Sequence, residues 1–129
     1  MTYVDSSAIV KLAVRETESA ALKSYLRRRK PLVCSALART EVIRALLPLG
    51  DEAIRRGRTV LSRFELVRLG QRVLDHAGSL RPNRLRSLDA IHLATADLLG
   101  DRGQTLIVTY DRRMADAAGD LGWRVASPS

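Results

Sequence analysis

Short apolar runs alternate along the chain with longer stretches of helical periodicity. Thr2-Tyr3-Val4, Leu32-Val33-Cys34-Ser35, Glu65-Leu66-Val67, Thr105 to Thr109 and Trp123-Arg124-Val125-Ala126 read as strands, the fourth most clearly. Between them, apolar residues three and four apart predict helices over Ser6 to about Ala13, Thr17–Arg29, Leu37–Leu47, Asp51 to about Arg63, Gln71–Ala77, Ser87–Leu99 and Asp111–Ala118. Ser6 or Ser7 is the expected N-cap of the first helix and Ser87 that of the sixth. Pro31, the Pro48/Gly50 pair, Gly78 and Gly100 mark helix ends. Strands that are nearly all apolar and separated by helices predict an α/β fold: a short, mostly parallel central sheet flanked by helices in three layers. No repeat, low-complexity stretch or linker interrupts the pattern, so residues 1–129 read as one domain.

Charge changes this picture. The chain has 22 Lys and Arg against 14 Asp and Glu, a formal charge of +8, and a sequence pI near 10.7. Residues 1–64 carry 13 of the basic and 6 of the acidic side chains, so the excess lies in the first half. Such a balance favours a polyanionic partner, nucleic acid before an anionic membrane surface. Arginine supplies 19 of the 22 cations. Its planar fork grips phosphate in two-point fashion, although a GC-rich coding sequence gives the same bias. Cys34 is the only cysteine, which excludes an intrachain disulfide and a cysteine-based zinc site. No run approaches the roughly 18 apolar residues of a membrane span, and strand-like residues begin at Thr2, so a soluble cytoplasmic protein is expected. Five aromatics are too few for a base-stacking platform, and no Gly-rich phosphate loop is present.

Four acids stand out by position. Asp5 and Asp111 fall at the carboxyl ends of predicted strands, where open α/β sheets place their sites. Glu41 and Asp89 are embedded in apolar helical stretches. Singly, each serves as a cap or a partner for a helix dipole; together they point to a shared carboxylate site. Asp97 lies eight residues beyond Asp89, a rotation of roughly 80° and a rise of about 12 Å, and is expected to face solvent outside the site. Asp116 is expected to point away in the same manner. Clustered carboxylates repel, and proteins keep such clusters for hard cations. Oxygen-only ligation suits Mg²⁺ or Mn²⁺, which would activate water and stabilise the phosphate during in-line phosphodiester hydrolysis. His92 follows Asp89 by three residues and reads as packing or as a supporting donor rather than a catalyst; His76 reads as solvent-facing. A phosphatase with an aspartyl nucleophile would need a second Asp two residues after Asp5, where Ser7 stands.

These strings resemble the motifs of PIN-domain proteins, specifically the VapC-type toxins of bacterial toxin–antitoxin pairs. Tyr3-Val4-Asp5-Ser6-Ser7-Ala8 is similar to the first motif and Thr40-Glu41-Val42 to the second. Leu88-Asp89-Ala90-Ile91-His92-Leu93-Ala94-Thr95-Ala96 is very close to the third, and Thr109-Tyr110-Asp111-Arg112-Arg113-Met114 resembles the last. The resemblance implies a Mg²⁺- or Mn²⁺-dependent endoribonuclease that inhibits translation by cutting a structured RNA, whether tRNA, rRNA or mRNA. It carries the catalytic and metal-binding roles to Asp5, Glu41, Asp89 and Asp111, with Asp5 and Asp89 binding metal most directly. Thr109 takes a supporting role and Ser7 a structural one. Arg112 and Arg113 are expected to bind RNA. A homodimer, and a small VapB-like antitoxin covering the acidic groove, are also implied. The alternative is a non-catalytic RNA-binding or protein-interaction module whose acids only hold an inhibitory partner.

Overall fold

The computed structural model describes residues 1–129. Five strands form one sheet: β1 (Thr2–Val4), β2 (Leu32–Ser35), β3 (Glu65–Val67), β4 (Leu106–Val108) and β5 (Arg124–Ala126). Their order is β3-β2-β1-β4-β5 and every pairing is parallel, so the sheet is wholly rather than mostly parallel. The chain steps outward from β1 through β2 to β3, then returns to the other side of β1 for β4 and β5. The strand order therefore reverses between β1 and β4, and a crevice opens there beyond the strands' carboxyl ends.

Seven helices cover the sheet: α1 (Ser6–Ala13), α2 (Ser19–Leu26), α3 (Ala38–Leu46), α4 (Asp51–Leu61), α5 (Gln71–Ser79), α6 (Ser87–Leu99) and α7 (Arg112–Asp120). The right-handed crossovers expected of parallel strands put α1–α4 and α5–α7 on opposite faces. Contacts agree, since α1 packs on α2, α3 and α4, whereas α5 pairs with α6 and α7 lies on β5. The central strands are buried on both faces: Tyr3, Val4, Ile107 and Val108 are fully shut from solvent, and Ile9, Leu22, Val42, Leu46, Leu93 and Met114 close over them. Gly57 lets α4 approach α3, because a Cβ there would run into the Leu46 side chain.

The helix ends differ from expectation in informative ways. Asp5, not Ser6 or Ser7, caps α1, its carboxylate accepting from the Ala8 amide. Arg86 occupies the cap of α6, and Ser87 is its first helical residue. The second helix starts two residues later than predicted because the Ser19 hydroxyl donates to the Val14 carbonyl and accepts from the Glu16 amide, fixing a turn before it. It also stops at Leu26. Arg29 then folds back over the Tyr25 ring at 3.7 Å and donates to the Tyr25 carbonyl. Pro48 is absorbed in a short 3-10 turn, Leu47–Leu49, which Gly50 closes at φ +93°. Gly78 lies inside α5 instead of ending it.

Candidate active site

The reversal point gathers the acids. β1 runs straight into Asp5, whose amide donates to Val108 on β4, so the residue is locked at the strand's end. Both carboxylate oxygens are engaged. Oδ1 accepts from Ser7 Oγ at 2.6 Å and from the Ala8 amide at 3.1 Å; Oδ2 accepts from Thr109 Oγ1 at 2.5 Å. Burial pushes the Asp5 carboxyl above its ordinary value, and these donors only partly offset it.

Thr109 and Ser7 tie the two sides of the crevice together. The Thr109 hydroxyl accepts from the Asp111 amide at 3.0 Å while donating to Asp5. Ser7 Oγ accepts from the Tyr110 amide at 3.0 Å while donating to the same carboxylate. Asp111 caps α7, accepting from the amides of Arg113 and Met114. Each hydroxyl thus reads one acid's position to the segment that carries another.

Glu41 comes from the first turn of α3 and Asp89 from the first turn of α6. Glu41 Oε1 accepts from Ser6 Oγ and from His92 Nε2, both at 2.7 Å. Burial raises the Glu41 carboxyl, but the His92 and Ser6 hydrogen bonds outweigh it and leave the group below its ordinary value. Asp89 is different: it is half-buried and has no hydrogen-bond donor. Burial and then the charge of Asp111 push it above the ordinary range, with Asp5 adding to the effect and Arg113 opposing it. No three Asp, Glu, His or Cys side chains stand close enough to grip one ion unaided.

Beside Asp89 lies a depression of about 260 Å³, lined among others by Arg84, Leu85, Arg113 and Asp116. Arg113 is therefore next to the acids, and Arg112 is exposed at the start of α7. Asp116, expected to point away, shares this depression with Asp89, because α7 turns its exposed flank toward the loop before α6. Asp97 does stay out of the site, but it is not solvent-facing: it pairs with His76 at 2.7 Å and with Arg102 at 2.8 Å. His76 is correspondingly tied down rather than free. Tyr110 sits under Lys11, its hydroxyl held by the Pro128 carbonyl at 2.6 Å, which makes it a structural tie. The Arg27–Lys30 run lies before β2, at the end of the parallel sheet opposite the acids.

Sequence reasoning missed Tyr3 and Ser6, and set His92 aside. The signal for His92 was present in its spacing: three residues after Asp89 places it one helical turn away on the same side. Nothing in the sequence places the Tyr3 hydroxyl beside it.

Comparison with known proteins agrees with this architecture. The PIN domain family matches residues 2–120. Ribonuclease VapC46 of Mycobacterium tuberculosis (strain ATCC 25618 / H37Rv) is 60% identical over 128 residues, 98% of this chain and 97% of that protein. Ribonuclease VapC35 of the same species (strain CDC 1551 / Oshkosh) is 38% identical over 131 residues, covering 99% and 97%. Among solved structures, a chain of a toxin-antitoxin complex from Klebsiella pneumoniae superposes with a TM-score of 0.76 at 25% identity, covering 100% of this chain and 98% of that one. With the four motif acids gathered at one switch point and relatives matched over nearly their whole lengths, the chain belongs to the PIN-domain family, among its VapC-type ribonuclease toxins.

Proposed function

We propose that this chain is an endoribonuclease toxin that hydrolyses phosphodiester bonds of a structured RNA with Mg²⁺ or Mn²⁺, using Asp5, Glu41, Asp89 and Asp111. The observation that carries the reading is Asp89: a half-buried carboxylate with no donor of its own, facing the charges of Asp111 and Asp5. A cation relieves that repulsion. The donor set fits a hard ion, being all oxygen, and Mg²⁺ keeps several waters and takes only one or two carboxylates. When bound, such an ion polarises a phosphate oxygen and lowers the pKa of an attacking water. The chain's own residues set the geometry. Ser7, Thr109 and the Ala8 amide hold Asp5 still, while Ser6 and His92 hold Glu41. Asp89, with no bond of its own, is free to ligate, and Arg113 is positioned to meet RNA phosphate, with exposed Arg112 beside it.

Residues 1–129 act as one PIN-like domain, supported by a single cluster of 21 buried residues. No helix is long and apolar enough to cross a membrane, and action in the cytoplasm is part of this proposal. A VapB-like antitoxin that covers the acidic crevice, and a homodimer, complete the reading; the Klebsiella pneumoniae toxin-antitoxin complex supports the first of these. The test is incubation of the antitoxin-free protein with total bacterial RNA in Mg²⁺, Mn²⁺ or EDTA. Discrete fragments that require the metal are expected, and their mapped ends name the RNA. RNA binding without cleavage in any metal would return the protein to the class of non-catalytic binding modules.

A further inference from the structure

Behind the acids, Tyr3 and His92 are 0% and 4% exposed, yet each holds a polar group in an unbroken chain of hydrogen bonds. The Ser35 amide meets the Tyr3 hydroxyl at 3.1 Å, the hydroxyl meets His92 Nδ1 at 2.7 Å, and His92 Nε2 meets Glu41 Oε1 at 2.7 Å. The direction of the chain follows from its fixed end. The Glu41 carboxylate can only accept, so the proton of a neutral His92 ring lies on Nε2; the bare Nδ1 then accepts from the Tyr3 hydroxyl, whose oxygen in turn accepts from the Ser35 amide. An edge-on contact between the two rings, 5.9 Å between centroids at 76°, holds the imidazole plane in that orientation. Ser6 Oγ donates to the same Glu41 oxygen. Oε1 is therefore saturated, and only Oε2 is left to face the crevice.

We propose that Tyr3 and His92 are positioning residues that lock one imidazole tautomer, so that Glu41 is presented to a cation or its bound water through Oε2 alone. This rests on the reading of Glu41 as a member of the metal site, and it adds which oxygen acts and what enforces it. A buried Tyr–His pair kept only for packing would make a different prediction about substitution at position 92. Glutamine carries an amide nitrogen where Nε2 stands and keeps the donor to Glu41. Asparagine carries its polar atoms where Nδ1 stands, keeping the Tyr3 partner and losing the donor.

The test compares His92→Gln, His92→Asn and Tyr3→Phe with wild type by Mn²⁺ titration calorimetry, by Mg²⁺ dependence of cleavage and by thermal unfolding. Loss of an outer partner of a metal-binding carboxylate weakens the site roughly 10–100-fold. His92→Asn is expected to need at least about tenfold more metal than His92→Gln at comparable melting temperature. Equal metal requirements in the two variants would overturn the proposal, as would losses that track melting temperature alone. A long-range ¹⁵N–¹H correlation spectrum of the metal-free protein reads the ring directly. His92 is expected as the Nε2–H tautomer, and an Nδ1–H ring in the wild type overturns the proposal. That spectrum needs no catalysis, so a protein with the predicted tautomer but no metal-dependent cleavage would refute the nuclease reading and leave the relay standing.

Discussion

Two histidine–carboxylate pairs of the same length each draw one member from α6, and their electrostatic settings are opposite. His92 meets Glu41 at 2.7 Å and His76 meets Asp97 at 2.7 Å. In the second pair the carboxylate is already neutralised: Arg102 clasps Asp97 through Nε at 2.8 Å and Nη2 at 3.1 Å, donates to the Leu121 carbonyl and lies over the Trp123 ring at 4.5 Å. Arg102, then burial, then His76 act on Asp97, and the balance holds it below its ordinary value. That cluster ties the end of α6 to the turn before β5, and every charge in it is spent. Around Glu41 no arginine or lysine is paired, and one oxygen stays free. The contrast shows that a His–carboxylate distance says little about role; what matters is whether a cation already occupies the carboxylate.

Neutralising each carboxylate in turn is expected to have the largest effect. Glu41→Gln is expected to lower RNA cleavage by about 10²–10³-fold, the scale of losing one electrostatic contact to a developing charge, with melting temperature little changed. Asp97→Asn is expected to do the reverse. It strands Arg102 and costs about 1–3 kcal/mol, several degrees of melting temperature, while cleavage at a permissive temperature stays near wild type. A common response of both variants in both assays would erase the distinction.

A middle-sized test uses pH. Asp89 has a raised carboxyl, so its ionised form costs stability at neutral pH, and the cost fades as pH falls through its folded value toward the ordinary 3.8. Asp97 has a depressed carboxyl, so its contribution is full above the ordinary 3.8 and is lost only as pH falls below it. Metal-free Asp89→Asn should therefore unfold at a higher temperature than wild type at pH 7, with the gap closing by about pH 4. Asp97→Asn should be less stable throughout that range. An Asp89→Asn variant that is less stable than wild type at pH 7 would contradict the repulsion assigned to the crevice.

Smaller still is the contribution of the flanking cations. Arg113→Ala is expected to weaken RNA binding and reduce the slope of log affinity against log salt by about one, in filter-binding titrations. Arg102→Lys should leave that slope unchanged and lower stability by about 1 kcal/mol, through loss of the planar fork.

Much of this was legible in the sequence because the signals were local. Strand-end acids, apolar runs and helix punctuation gave all five strands and seven helices, and the four motif strings pointed to the family. What failed was also physical. Capping by Asp5 in place of Ser6 or Ser7 could not be read, because the carboxylate serves cap and site at once and the serine hydroxyls are drawn to Glu41 and Asp5. Asp97 looked solvent-facing from its angle on α6, but Arg102, on the turn after the helix, and His76, on α5, fold over it. The Tyr3–His92 contact joins residues 89 apart. No periodicity reports a bond of that span.

The account turns on whether the acids at the β1/β4 switch point cut RNA or merely bind a partner. Single-turnover cleavage by wild type and Asp5→Asn, at saturating RNA and in Mg²⁺ or Mn²⁺, decides it, with binding measured on the same samples. The account predicts discrete fragments from wild type, none from Asp5→Asn or in EDTA, and RNA affinity retained in the variant. Identical fragments from both proteins, or no cleavage by the metal-loaded wild type, would contradict it.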